Sequence, residues 1–194
     1  MTSLEQAAVP TFAGHQTFHP RFGWLKKGFD RASEDSTVFL AENATVRLGV
    51  GKNMVQSIRH WCQVTQLIER ARVSGKISRV HFQPTRLAKC LLVDEEWDPF
   101  LEDDASLWLI HWLLVTNPVI GTTLRIIFSR FNRPDFTRQE FFDYVRLFTE
   151  REDIEVRDSV LLRDVDCLIR TYVAGRNEKK PAVPEDTFGS PLAQ

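Results

Sequence analysis

The sequence predicts a mainly α-helical protein: an amino-terminal winged helix-turn-helix with a small β-hairpin as its wing, followed by a helical domain. Three observations lead there. Apolar residues recur at helical spacing along most of the 194 residues. A helix–glycine–helix pattern at 42–61 is followed by a basic stretch centred on a hairpin turn. Charge is divided: residues 1–92 hold 13 Lys+Arg and 6 Asp+Glu, whereas residues 93–194 hold 12 and 20. A chain of net charge −1 therefore consists of a +7 half and a −8 half. Only the first half is suited to face a polyanion, since affinity follows local cation density rather than the total.

With 43% hydrophobic and 26% charged residues, the composition is that of a globular chain and not of a disordered one. No apolar run approaches the ~18 residues of a membrane span. The first ten residues, MTSLEQAAVP, lack the basic and apolar regions of a signal peptide. Cys62, Cys90 and Cys167 are odd in number, widely spaced and in no CxxC pair, which fits a reducing cytoplasm.

The elements follow in chain order. Residues 1–13 show no period and read as a loose arm. His19-Pro20 opens a helical stretch, Pro20 suiting the first turn, with Phe22, Leu25 and Phe29 on one face. Residues 33–37 read as a loop, 42–48 as a short helix, and 52–69 as a longer one. Ser74-Gly75-Lys76 joins two short basic strands. Pro84 starts another short helix with Leu87, Leu91 and Leu92. The acidic run Asp94-Glu95-Glu96 and Asp98-Pro99 mark a boundary between a DNA-binding region, 1–93, and an acidic helical domain, 94–174. In the latter, 103–116 is a strongly apolar helix and 119–131 another. Thr137 with Glu140 forms a capping-box pattern for a helix to Arg151, and a final helix runs over 159–173. From Gly175 to the end, charge, proline and glycine read as a flexible tail.

The most informative stretch is 42–61. A helix-turn-helix needs small or apolar residues in its first helix, a glycine at the sharp turn, and apolar positions that lock the second helix down. Ala44, Leu48 and Val50, then Gly49, then Val55 and Ile58 meet those needs. In this register the outer face of the second helix shows Lys52, Asn53, Gln56, Ser57 and His60. These side chains suit DNA: lysine for phosphate or guanine, amides for adenine, serine for either. The turn at Gly51-Lys52 offers backbone N–H groups to a phosphate. Arg59 on the same helix, Arg21, Lys26 and Lys27 before it, and Lys76 and Arg79 in the wing complete the expected DNA-contact set.

Other chemistry is poorly represented. His15, His19, His60, His81 and His111 show no HxxxH spacing, and His111, inside an apolar helix, reads as a hydrogen-bonded core residue. Gly49-Val50-Gly51-Lys52 lacks P-loop spacing, and no GxSxG elbow occurs. For nuclease chemistry, Pro134-Asp135 has no downstream acid-x-lysine partner. Asp164 and Asp166 would point to different sides of a helix. Glu102, Asp103 and Asp104 read as acids favouring a helix amino end. No catalytic residue and no metal ligand can be assigned from these patterns.

Five blocks carry a family resemblance: His15-Gln-Thr-Phe-His-Pro-Arg-Phe-Gly-Trp-Leu-Lys-Lys27, Leu48 to Cys62, Asp98 to Asp103, Leu107 to Trp112, and Arg163 to Cys167. Over residues 12–192 the chain resembles a bacterial domain-of-unknown-function family encoded beside DNA phosphorothioation genes. That family includes the SspB-type nicking subunit of a single-strand phosphorothioate system. The resemblance implies a cytoplasmic, DNA-binding and DNA-nicking component of a phage-defence system, acting on double-stranded DNA. Its implied partners are a cysteine desulfurase, an ATPase and a sulfur-transfer enzyme, and a homodimer is compatible with the acidic half. No tightly bound cofactor is expected beyond a divalent metal such as Mg or Mn for nicking. The alternatives are a non-catalytic DNA-binding scaffold and a winged-helix transcription regulator.

Overall fold

A computed structural model describes residues 10–73, 79–117, 122–173 and 190–193. Among them the chain forms eight α-helices, one 3-10 turn and a two-stranded antiparallel sheet. No helix among the described residues is long and apolar enough to cross a membrane.

Helix α1 spans Trp24–Glu34, four residues later than Pro20 led us to expect. Gly23, in the left-handed conformation, sets its start, and Phe22-Gly23 form a turn closed by Trp24 N–H to Arg21 O. A 3-10 turn, Val38–Leu40, leads to α2, Ala44–Leu48, and then α3, Lys52–Val64. Helix α3 stops five residues before the expected Glu69 because Gln66 takes φ 56° and turns the chain into the sheet. Strands β1, Ile68–Val73, and β2, Arg79–Pro84, pair from Ile68 opposite Pro84 to Val73 opposite Arg79. The hairpin was legible; its turn at 74–78 lies outside the described residues. Thr85, not Pro84, starts α4, Arg86–Leu92, its hydroxyl accepting from Ala88 N–H.

Helix α5, Asp104–Thr116, is capped by Asp103 and ends at Asn117, as expected. Helix α6 covers Thr122–Ser129, inside the expected 119–131; residues 118–121 are not described, and the far end closes when Phe131 N–H turns back to Ile126 O. Helix α7, Arg138–Arg151, carries the full Thr137/Glu140 capping box. Helix α8 spans Asp158–Tyr172. Asp164 and Asp166 do diverge: the first is buried, the second pairs with Arg138 on the surface.

One buried cluster runs from Trp24, Leu25 and Phe29 through Ile58, Trp61 and Leu67 to Ile110, Phe141 and Leu168. Helix α3 lies inside it, with Ile58 and Cys62 fully enclosed. Of the expected tail from Gly175, 175–189 lies outside the described residues, but Ser190–Ala193 forms a packed turn with Ser190 buried.

Candidate nucleic-acid interface

The α2–α3 turn is built as the sequence requires. Gly49 ends α2 at φ 66°, a conformation that costs glycine little. Its N–H and that of Val50 return to Val46 O and Thr45 O at 3.2 and 3.1 Å. Ala44, Leu48, Val55 and Ile58 are buried and lock the two helices. Gly51 then begins α3 in extended conformation, with no side chain capping the helix. The first N–H groups of α3 therefore lack intrahelical acceptors and point outward with the positive end of the helix dipole. Lys52 and Asn53 are exposed there, and Gln56 is half-buried one turn on.

Beside this end a groove of about 200 Å³ opens between α1 and the turn, lined by Arg21, Phe22, Trp24, Lys27, Val50 and Met54. Lys27 donates to Leu48 O at 3.3 Å, so its ammonium sits at the carboxyl end of α2. Arg21 is 6% exposed, its guanidinium 5.4 Å from the Phe18 ring and 5.2 Å from that of Trp24. Lys27, Arg21 and the α3 amino end thus come together on one side of the molecule.

The remaining expected contacts are arranged differently. Ser57 does not face outward: it is fully buried on the Ile58–Trp61 side of α3, with no hydrogen-bond partner for its hydroxyl among the described residues. His60 also turns inward, packing edge-on against His15 at 6.1 Å and Trp61 at 5.5 Å. The buried arc of α3 is wider than an apolar-only count of the sequence gives, and it draws these two polar residues in. Burial, then His15 and Arg59 nearby, hold the His60 pKa down to about 3. Arg59 stacks over Phe82 at 5.5 Å, and its pKa is lowered by burial and by Arg70. Lys26 is paired at 2.8 Å with Asp30 and at 2.9 Å with Asp94; burial opposes its charge, but these two bonds outweigh it and raise its pKa. Lys76 and the side chain of Arg79 lie outside the described residues; the Arg79 backbone opens β2.

A polar hub behind α3 was not anticipated. Segment 11–19 runs between α3 on one side and α6 and α8 on the other. Asp164 Oδ1 accepts from Ala13 N–H at 2.7 Å and lies 2.8 Å from His15 Nε2, while Oδ2 accepts from Thr123 at 2.9 Å. Thr17 N–H donates to His15 Nδ1 at 3.0 Å, so the His15 proton sits on Nε2 and points at Asp164. Trp61 Nε1 and Arg170 donate to Phe18 O and Thr17 O, each at 2.9 Å. Ala13, Gln16 and Thr17 adopt positive φ to make these bonds. Gly14 passes so close to α3 that a Cβ there would stand 2.4 Å from His60 Nδ1. The available signal was an acid on the buried face of α8, in phase with Leu161, Val165 and Leu168.

Over residues 12–194 the chain matches the model of a family described as protein of unknown function, DUF4007. An SspB crystal structure is similar at 31% identity and TM-score 0.75, over 86% of this chain and 52% of that one. A magnesium-ion-bound SspB crystal structure is similar at 31% identity and TM-score 0.83, over 99% of this chain and 57% of that one. The chain thus spans little more than half the length of these solved relatives. No curated protein matches it.

Proposed function

This chain belongs to the DUF4007 family, and from that premise we propose that it is a duplex-DNA-binding component of a bacterial DNA phosphorothioate modification and phage-defence system. The observation that carries the reading is the exposed α3 amino end, without a side-chain cap, beside the groove of Arg21 and Lys27. In this reading α2 and α3 form the helix-turn-helix and the β1–β2 hairpin is its wing, with Lys76 and Arg79 reaching the DNA backbone. The free N–H groups, Lys52 and Lys27 neutralise phosphates, and Asn53 and Gln56 meet base edges. Ser57 and His60 take no part. A cysteine desulfurase, an ATPase and a sulfur-transfer enzyme are the catalytic partners this role calls for.

The described residues do not fit a metal-dependent nicking centre. No group of three or more His, Cys, Asp or Glu residues could hold an ion among them. Three of the acids weighed above are committed elsewhere: Asp164 to three donors, Asp166 to Arg138, and Asp103 to Ala105 N–H.

Fluorescence anisotropy with a labelled duplex of about 30 base pairs, across a salt series, tests the proposal. Binding weakens as salt rises, and Lys52→Ala reduces the log–log slope by about 0.9 because one phosphate contact is lost. Gln56→Ala weakens binding with the slope unchanged. Unaltered affinity in both variants would remove α3 as the reading helix. Supercoiled plasmid incubated with Mg²⁺ or Mn²⁺ stays supercoiled; open-circle product abolished by carboxylate substitution would restore the nicking reading.

A further inference from the structure

The groove between α1 and the α2–α3 turn is more than the fixing of a duplex backbone requires. Duplex phosphates need donors on a surface and no cavity. Here a space of about 200 Å³ is lined by apolar Phe22, Val50 and Met54 together with the charges of Arg21 and Lys27. That is less than the ~300–1,000 Å³ of sites that enclose a whole small-molecule ligand. It is room for one ring system.

Phe22 is a side chain that the core leaves out. It is 52% exposed, whereas Trp24, Leu25 and Phe29, the next apolar residues of the chain, are buried. The space beside it is open: Gly23 at φ 79° and Gly49 at φ 66° both line the groove, and a Cβ at either would meet no atom within 4 Å. The two cations are held in place. Arg21 lies against the Phe18 and Trp24 rings, and Lys27 gives one of its three N–H groups to Leu48 O. An exposed aromatic ring, a thioether and fixed cations in one small space suit a flat ring whose edge carries acceptors. Of the groups a DNA strand offers, that is a nucleobase out of its pair, since a paired base presents no face. Guanine, with O6 and N7 side by side, suits lysine and arginine best.

Resting on the duplex-binding reading above, we propose that this groove receives one unpaired nucleobase of the bound DNA, guanine before the others, stacked on Phe22 with its acceptor edge toward Lys27 and Arg21. The strand that supplies it keeps its phosphate at the amino end of α3. Backbone contacts thus position the DNA, and the groove selects a nucleotide that has left the stack. Extracting a base from an intact duplex costs its pairing and stacking, whereas a base without a partner enters at little cost. Duplex DNA with an unpaired guanine is therefore preferred to the same duplex fully paired.

Fluorescence anisotropy of the full chain tests this with three labelled duplexes of about 30 base pairs: fully paired, with one extra unpaired guanine, and with one extra abasic nucleotide at the same place. The abasic duplex shares the flexibility of the bulge but offers no base. The guanine duplex binds about tenfold more tightly than the abasic one, within the range that a single base stacked on an aromatic side chain supplies. Phe22→Ala brings that ratio close to one, and Phe22→Trp preserves it. Salt-sensitive binding of the paired duplex, with equal affinities for the guanine and abasic duplexes, overturns the proposal and leaves the duplex-binding reading standing. A ratio untouched by Phe22→Ala does the same. Absence of binding to all three duplexes overturns both.

Discussion

His60→Gln separates an inward histidine from one that reads DNA. In the folded chain the His60 pKa is held down to about 3, by burial first and then by His15 and Arg59; unfolded, a histidine titrates near ~6.5. Between those values the unfolded chain carries a proton on His60 that the folded chain does not. Stability from this residue is complete above the unfolded pKa and falls as pH drops from about 6.5 toward about 3. The slope it contributes approaches about 1.4 kcal/mol per pH unit, so from pH 6 to pH 4 the loss is roughly 2–3 kcal/mol. Urea unfolding at a series of pH values, followed by tryptophan fluorescence, measures it. His60→Gln lowers stability at pH 7.5, because the ring packed on Gly14 and His15 is gone, yet flattens the profile below pH 6.5 by about the slope above. Parallel profiles for wild type and variant would refute the reasoning: His60 would then be protonated in the fold and free to face solvent.

Two further predictions concern stability. Asp164→Ala leaves Ala13 N–H, His15 Nε2–H and the Thr123 hydroxyl without their acceptor, at about 3–6 kcal/mol in total, whereas Asp164→Asn keeps one oxygen and costs about 1–2 kcal/mol. Equal urea midpoints for the two variants would contradict that hub. Thr137→Ala removes half of the α7 capping box and lowers the unfolding free energy by about 1 kcal/mol, checked by the same titration.

Where a signal is local, the sequence was readable. The Thr137/Glu140 cap, the glycine turn between α2 and α3, the paired strands and the limits of α5 each depend on residues within a few positions of one another. The end of α3 was misjudged because apolar spacing continues through Leu67 and Ile68; the chain instead turns at Gln66 and uses those residues to begin β1. The α3 face shows the same limit. Lys52 and Asn53 are exposed, but Ser57 and His60 are polar residues drawn inward by neighbours from outside their own helix. The Asp164 hub joins residues about 150 positions apart, and nothing near His15 announces its partner. The seat of Leu192 against Tyr172 and Trp108 was equally out of reach, since the residues on either side of it read only as tail.

The separation between His15 and Asp164 also imposes an order on how the protein is made. Segment 11–19 is synthesised well before its acceptor on α8, since Asp164 lies 151 residues beyond Ala13. Helices α1 to α3 and the hairpin can assemble during translation, since their contacts are close along the chain. The early segment, with three residues at positive φ, has only its contacts with α3, such as Trp61 Nε1 to Phe18 O, until α8 is out. Docking of Ala13 and His15 onto Asp164 is thus a closing event, after which the two oppositely charged halves become one cooperative unit.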